Sequence, residues 1–142
     1  MDIRRVTTAA PVLAAGHLFD DPPVLPALTR FLASEGHHVL IAYVDDVPAG
    51  MVTGVEMTHP DKGTEMFLYE LGVSSEYRGR GLGSALVTAL ASLARSRGCY
   101  DMWVVTEEDN DAAQATYRRA GGASTGRQVV LEWNLARPEP TP

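Results

Sequence analysis

Apolar and polar positions along the chain alternate in short runs and then switch to helical spacing. Asp2 to Val6 reads as an opening strand. Thr8 stands where a helix running to about Leu18 would be capped. Asp21 followed by Pro22 marks a second start, since proline fits the first helical position. Leu25, Leu28, Phe31 and Leu32 give that second helix an apolar face. His38 to Tyr43 and Met51 to Met57 are largely β-branched or apolar and flank the turn residues Asp45-Asp46, which predicts a hairpin. Beyond the polar run His59 to Thr64, Met66 to Val73 predicts a third strand, apolar except at Tyr69 and Glu70. Leu82, Ala85, Leu86, Ala89, Leu90, Leu93 and Ala94 recur at i, i+3, i+4 and i+7, one helical face that Gly98 ends. Tyr100 to Thr106 is a compact apolar run, so strand, helix and strand predict a βαβ unit with parallel strands. Asn110 to Ala120 predicts a last helix stopped by Gly121-Gly122, and Arg127 to Leu135 a final strand. The fold class is mixed α/β: a central mixed sheet with a parallel βαβ unit, flanked by helices. One domain is expected over 1–137, with a mobile proline-rich tail over 138–142.

Composition narrows the function. The length of 142 residues suits one domain, and a formal charge of −6 disfavours a general nucleic-acid partner while favouring a cationic small molecule. Cys99 is the lone cysteine, so neither an intramolecular disulfide nor a thiolate zinc site is available. His37 and His38 are adjacent in a strand and point to opposite faces, and His17 and His59 are scattered, so no metal site is expected. Trp103 is expected in the core and Trp133 in sheet packing. Arg4-Arg5 ahead of the stretch Ala9 to Leu18 mimics a signal peptide, but Thr7, Thr8, Pro11, Gly16 and His17 interrupt it. No run approaches the ~18 apolar residues of a spanning helix. A cytoplasmic protein with no membrane partner is the expectation.

The chemistry gathers between the third strand and the long helix, at Arg78-Gly79-Arg80-Gly81-Leu82-Gly83. Glycines at a helix start let backbone N–H groups approach a phosphate, the helix dipole favours the anion, and two arginines add charge. Arg78, Gly79, Arg80, Gly81, Leu82, Gly83 and Ser84 are therefore candidate cofactor contacts. A P-loop would need Gly-Lys-Ser/Thr, and a dinucleotide fingerprint would need glycine where Ser84 or Leu86 stands, so neither fits. Glu70 is a candidate general base: in a regular strand it shares a face with Met66, Leu68 and Gly72, an apolar setting that raises a carboxyl pKa. Tyr117 lies seven residues after Asn110 on the same helical face, and Asn110 is placed to cap that helix.

Arg78-Gly79-Arg80-Gly81-Leu82-Gly83 resembles the Arg/Gln-x-x-Gly-x-Gly/Ala signature of the GNAT N-acetyltransferases. Asn110, Ala113, Tyr117 and Gly121 match the family's Asn-x-x-Ala-x-x-x-Tyr-x-x-x-Gly pattern, and Gly122 departs from it where phenylalanine is usual. The resemblance covers nearly the whole chain and implies a GNAT fold whose βαβ unit binds acetyl-CoA. It implies that Leu71, Gly72 and Val73 offer backbone to the pantetheine arm, with the Val73 amide polarising the acetyl carbonyl. By the same resemblance Tyr117 is the general acid for the departing thiolate, and Asn110 also touches the cofactor. The acceptor cleft is implied to lie between two acidic segments, Asp20-Asp21 and Glu107-Glu108-Asp109, which would hold a small cationic amine together with Glu70. Tyr69-Glu70-Leu71-Gly72-Val73 and the turn after it look most like the type I aminoglycoside 3-N-acetyltransferases, and many relatives are homodimers. Acetylation of a protein lysine or N-terminus, and a non-catalytic acyl-CoA-binding regulatory module, are the competing readings.

Overall fold

A computed structural model describes residues 1–137; the proline-rich tail expected over 138–142 lies outside them. Five strands, β1 (Asp2–Arg5), β2 (His37–Val44), β3 (Val47–His59), β4 (Gly63–Val73) and β5 (Asp101–Trp103), lie side by side in chain order. The first four are antiparallel and β5 runs parallel to β4, as the βαβ pattern requires. Helices α1 (Ala9–Ala14) and α2 (Leu25–Ala33) cover one face, and α3 (Leu82–Ser96) covers the other, with α4 (Asp111–Arg119) packed on α3.

Local chemistry explains most boundaries. Asp45 and Asp46 both take positive φ, 50° and 63°, the two-residue turn that joins twisted antiparallel strands. At the end of α3 the Gly98 amide donates to Arg95 O and the Cys99 amide to Ala94 O, closing the helix on a left-handed glycine. The first helix stops at Ala14 and continues as a 3-10 turn, Gly16–Leu18. The second begins at Leu25, not at Asp21-Pro22: Pro22-Pro23 delays it, and Pro26 takes the early-turn position.

Two cores follow from this layering. Leu40, Val52, Met66 and Leu68 meet Leu82, Leu86, Val87 and Leu90 of α3. Val39, Ile41 and Met51 meet Val12, Ala15, Leu18 and Leu28 on the other face. The final strand expected over Arg127 to Leu135 does not form: a strand needs a ladder partner, and among the described residues no sheet edge takes this segment up. Trp133 is consequently exposed, not packed on the sheet. Trp103 is partly exposed as well, its ring 4.4 Å from that of Phe67 at the sheet edge instead of in the core.

A polar network centred on buried His38 ties β1, β2, β3 and the end of α3. Arg5 Nη2 donates to His38 Nδ1 at 2.9 Å, His38 Nε2 donates to Glu56 Oε2 at 2.6 Å, and Arg97 Nε donates to the same carboxylate oxygen at 2.8 Å. Burial holds the His38 imidazole below its ordinary pKa. Burial alone would raise the Glu56 carboxyl, but the hydrogen bonds from His38 and Arg97 overcome it and hold it low. Both groups bind protons more readily when unfolded, so their stabilisation is present above their ordinary pKa values and is lost as the pH falls. The denaturation midpoint is expected to drop between about pH 7.5 and 5.5, the range in which an ordinary histidine charges. His38→Gln is expected to flatten that drop, and an equal drop in the variant contradicts the assignment.

Candidate functional site

The site begins where β4 loses a neighbour. Along one edge β4 pairs with β3 through its whole length, from His59↔Gly63 to Gly50↔Val73. Along the other, β5 pairs only with Glu65, Met66 and Phe67. From Leu68 to Val73 that second edge is open. The Ser74 amide donates to Ala49 O at 2.9 Å, toward β3. By strand alternation the Val73 and Leu71 amides point the other way, into the opening.

Directly beyond lies the turn into α3. Gly79 and Gly81 have φ of 76° and 80°, and no atom stands within 4 Å of where a Cβ would be on either, so the backbone there is open to approach. The amides of Leu82, Gly83 and Ser84 in the first turn of α3 find no acceptor among the described residues, as the geometry of a helix start dictates. Ser84 Oγ is buried with no hydrogen-bond partner. Arg78 Nε donates to Val73 O at 3.3 Å, which holds its guanidinium at the end of the open edge, and the Arg80 guanidinium sits 5.3 Å from the Tyr77 ring centre. Unpaired donors, a positive helix end and two arginines fit a phosphate-bearing group. Gly83 also governs packing, since a Cβ there would meet Thr116 Cγ2 at 3.0 Å, so its bare backbone sets how closely α4 approaches α3.

Glu70 lies on the face opposite to the one its spacing suggests. Gly54 pairs with Leu68 but Thr53 pairs with Glu70, so Tyr69 is an extra residue, a β-bulge. The bulge turns Glu70 and Gly72 away from Met66 and Leu68 and onto the face covered by α1 and the 3-10 turn, while Leu71 and Val73 join the α3 side. Gly72 is required there. A Cβ on it would stand 2.5 Å from Leu18 O, so only glycine lets the 3-10 turn cross β4 this closely. That crossing carries Phe19-Asp20-Asp21 to Glu70. Burial raises the Glu70 pKa, a hydrogen bond from Thr53 Oγ1 at 3.3 Å opposes the rise, and the charges of Asp20 and Asp21 add to it.

Tyr117, like Leu71, Val73 and Tyr77, is partly buried against the core that α3 covers. Burial raises its pKa, so its hydroxyl keeps its proton at neutral pH. Asn110 caps α4 as expected, its Oδ1 accepting from the Ala113 amide at 3.1 Å. The second acidic segment is not brought to Glu70, on which only Asp20 and Asp21 act among the carboxylates. Glu107, Glu108 and Asp109 are exposed, in a loop pinned by Gln114 Nε2, which donates to Glu107 O at 3.2 Å and Glu108 O at 2.7 Å. Thr53, Gln114 and the crossing at Gly72 are not legible in the sequence as site features, because each depends on strand register or on tertiary contact.

The model of the acetyltransferase (GNAT) family matches residues 9–122. The chain belongs to that family. Among curated relatives of this GNAT chain, the L-2,4-diaminobutyric acid acetyltransferase of Streptomyces coelicolor is 31% identical over 110 residues, covering 75% of this chain and 59% of that protein. An acetyltransferase of Yersinia pestis is 36% identical over 92 residues, covering 65% of this chain and 62% of the relative. The chain thus spans about three-fifths of the length of these relatives. Among solved structures, an aminoglycoside acetyltransferase from an uncultured soil metagenomic sample superposes with a TM-score of 0.85 at 19% identity, covering 95% of this chain and 96% of that one. The aminoglycoside N-acetyltransferase AAC(6')-Iy in complex with CoA gives 0.74 at 21% identity, covering 93% and 98%. At these identities the likeness is one of fold. The neighbours named by position are 6′ enzymes, and of the resemblance to type I 3-N enzymes the part shown is membership of the GNAT family.

Among the described residues no helix is long and apolar enough to cross a membrane, and no three metal-ligating side chains stand together. Because Thr53 opposes the rise in the Glu70 pKa, Thr53→Val is expected to raise that pKa further, read by carbon NMR titration of the Glu70 carboxyl. An unchanged titration contradicts the pairing.

Proposed function

We propose that this GNAT chain transfers an acetyl group from acetyl-CoA to a primary amine of a small, multiply charged cation. The observation that supports it most is the open edge of β4, with phosphate-ready donors at its α3 end and a carboxylate cluster alongside. The cofactor supplies an activated acetyl thioester. Leu82, Gly83, Ser84, Arg78 and Arg80 hold its phosphates. Leu71 and Val73 hold the pantetheine arm by strand-like backbone bonds, and the Val73 amide polarises the acetyl carbonyl.

An ammonium has no lone pair, so its proton must leave before nitrogen can attack. Glu70 takes it, and the elevated pKa of this carboxyl matches it better to that work at neutral pH. The new C–N bond forms as the C–S bond breaks, and the Tyr117 hydroxyl returns a proton to the sulfur. Asp20 and Asp21 attract the remaining positive charges of the acceptor through pairs that are individually worth ~0–1 kcal/mol and select by acting together. This carboxylate corner favours a polyamine such as an aminoglycoside over a diamino acid, whose own carboxylate it would repel. Glu107, Glu108 and Asp109 add a second, more distant attraction. The working unit includes a second copy of the chain, on the ground of an apolar arm, Arg127 to Leu135, that has no cover of its own.

Thiol release from acetyl-CoA across aminoglycosides, linear polyamines, diamino acids and basic peptides tests this reading. Multivalent small amines are expected to lead, with apparent affinity falling as salt rises. Glu70→Gln and Tyr117→Phe are each expected to cut turnover by ~10²–10⁴-fold with CoA binding kept. Turnover confined to peptides, or CoA binding with no turnover on any amine, contradicts it.

A further inference from the structure

The β-bulge at Tyr69 sends two neighbouring side chains of β4 to the same face of the sheet. Glu70 is turned there by the shift in register. The Tyr69 ring lies 5.4 Å from that of Phe67, which alternates with Met66 and Leu68 of the α3 core and so faces away from it. Trp103 joins them from β5: it is the register partner of Phe67, with ring centres 4.4 Å apart, and Met102 beside it packs into the α3 core on the other face. Neighbouring rings are inclined by only 37° and 38°, so their faces form a shallow floor. Glu70 stands at the end of this row of three aromatic rings.

Among the described residues the helices leave that floor open. The core under α1 and α2 draws its strand residues from β2 and β3, and none of β4 or β5 belongs to it. Tyr69 is 64% exposed, Trp103 39%, and Val105, past Val104 of the α3 core, 52%. Scattered exposed apolar side chains are ordinary on a protein surface, but a contiguous patch bounded by polar groups marks a binding site. Both ends of this patch are acidic. Glu70, with the charges of Asp20 and Asp21 acting on it, closes one end, and Glu107-Glu108-Asp109 follows Val105 at the other. A ligand that lies on the floor must be apolar on one face and cationic at its rim.

We infer that Tyr69 and Trp103 determine acceptor specificity by stacking the C–H face of a saturated six-membered ring, an aminocyclitol or aminosugar, whose amines reach the carboxylates on either side. This rests on the acetyl transfer proposed above and narrows its acceptor from multiply charged amines to those carried on a ring. The C–H bonds on the flat face of such a ring carry partial positive charge, and its ammonium groups carry full charge, whereas the face of an aromatic ring is negative. A rigid ring also binds without ordering many torsions, a cost that a linear polyamine of equal charge must meet. Glu70 is the next residue after Tyr69, so a ring stacked on Tyr69 brings its nearest amine to that carboxylate.

The experiment assays the full chain with acetyl-CoA and two acceptors of equal amine count: neamine, whose amines sit on rings, and spermine, a linear chain. The parent is expected to favour neamine in kcat/KM. Tyr69→Ala and Trp103→Leu are each expected to raise KM for neamine about tenfold, with kcat kept and the spermine KM moved far less. Tyr69→Phe, which keeps the ring face, is expected to restore the parent KM. A rise in melting temperature with CoA shows that each variant is folded. In the unaltered protein, transferred nuclear Overhauser effects are expected from the Tyr69 and Trp103 rings to the ring C–H protons of neamine. Spermine used as well as neamine or better, variants that shift both acceptors alike, or neamine turned over without those ring contacts overturns the stacking floor while leaving acetyl transfer to polyamines in place. No turnover of either amine by protein saturated with acetyl-CoA overturns both.

Discussion

The site depends on a strand that is hydrogen-bonded fully on one edge and only half-way along the other. β4 needs β3 to be a strand at all, and β3 serves it from Gly63 to Val73. β5 accompanies it only to Phe67. Past that point the chain carries strand-ordered amides with no strand to receive them, and buried amides must find acceptors. The first turn of α3 presents the same kind of unmet donors, with a positive dipole behind them. A ligand that is amide-like along its length and anionic at its end satisfies both groups at once. Pantetheine with its phosphates has that form, which is the ground for proposing the open edge and the glycine turn as one site.

The other half of the site follows from one inserted residue and one missing side chain. Tyr69 bulges out of β4 and thereby turns Glu70 onto the face where α1 and the 3-10 turn lie. Gly72, two residues on, lacks the Cβ that would collide with Leu18 O, so the backbone of that turn crosses β4 and delivers Asp20 and Asp21. The resulting carboxylate cluster centres on Glu70, whose pKa is raised by burial and by like charge, tempered by Thr53. The same crossing leaves Glu70 only half-open to solvent.

Much of this is legible in the sequence, and the reasons are local. The Asp45-Asp46 hairpin, the periodicity of α3, the Asn110 cap and the Gly81 start of α3 each rest on residues within a few positions of one another. The resemblance to the GNAT family rests on the same local motifs, and the family model bears it out. The features that escape a reading of the sequence are set by partners far along the chain. Alternation alone places Glu70 with Met66 and Leu68, because a bulge is a property of two paired strands and leaves no mark in one. Arg127 to Leu135 reads as a strand and its pattern is sound, but a strand forms only when it is paired, and no edge takes this segment up among the described residues. Asp20 and Asp21 read as acidic residues near the acceptor, whereas their closeness to Glu70 emerges only with Leu18 lying over Gly72.

Amide hydrogen exchange with and without CoA, resolved to single residues, tests the central claim most directly. Slowed exchange is expected at Leu71 and Val73 and at Leu82, Gly83 and Ser84, with the amides of β2 unchanged. CoA bound at saturation while those five amides exchange as in the free protein would contradict it, since the open edge and the helix start would then not be where the cofactor lies.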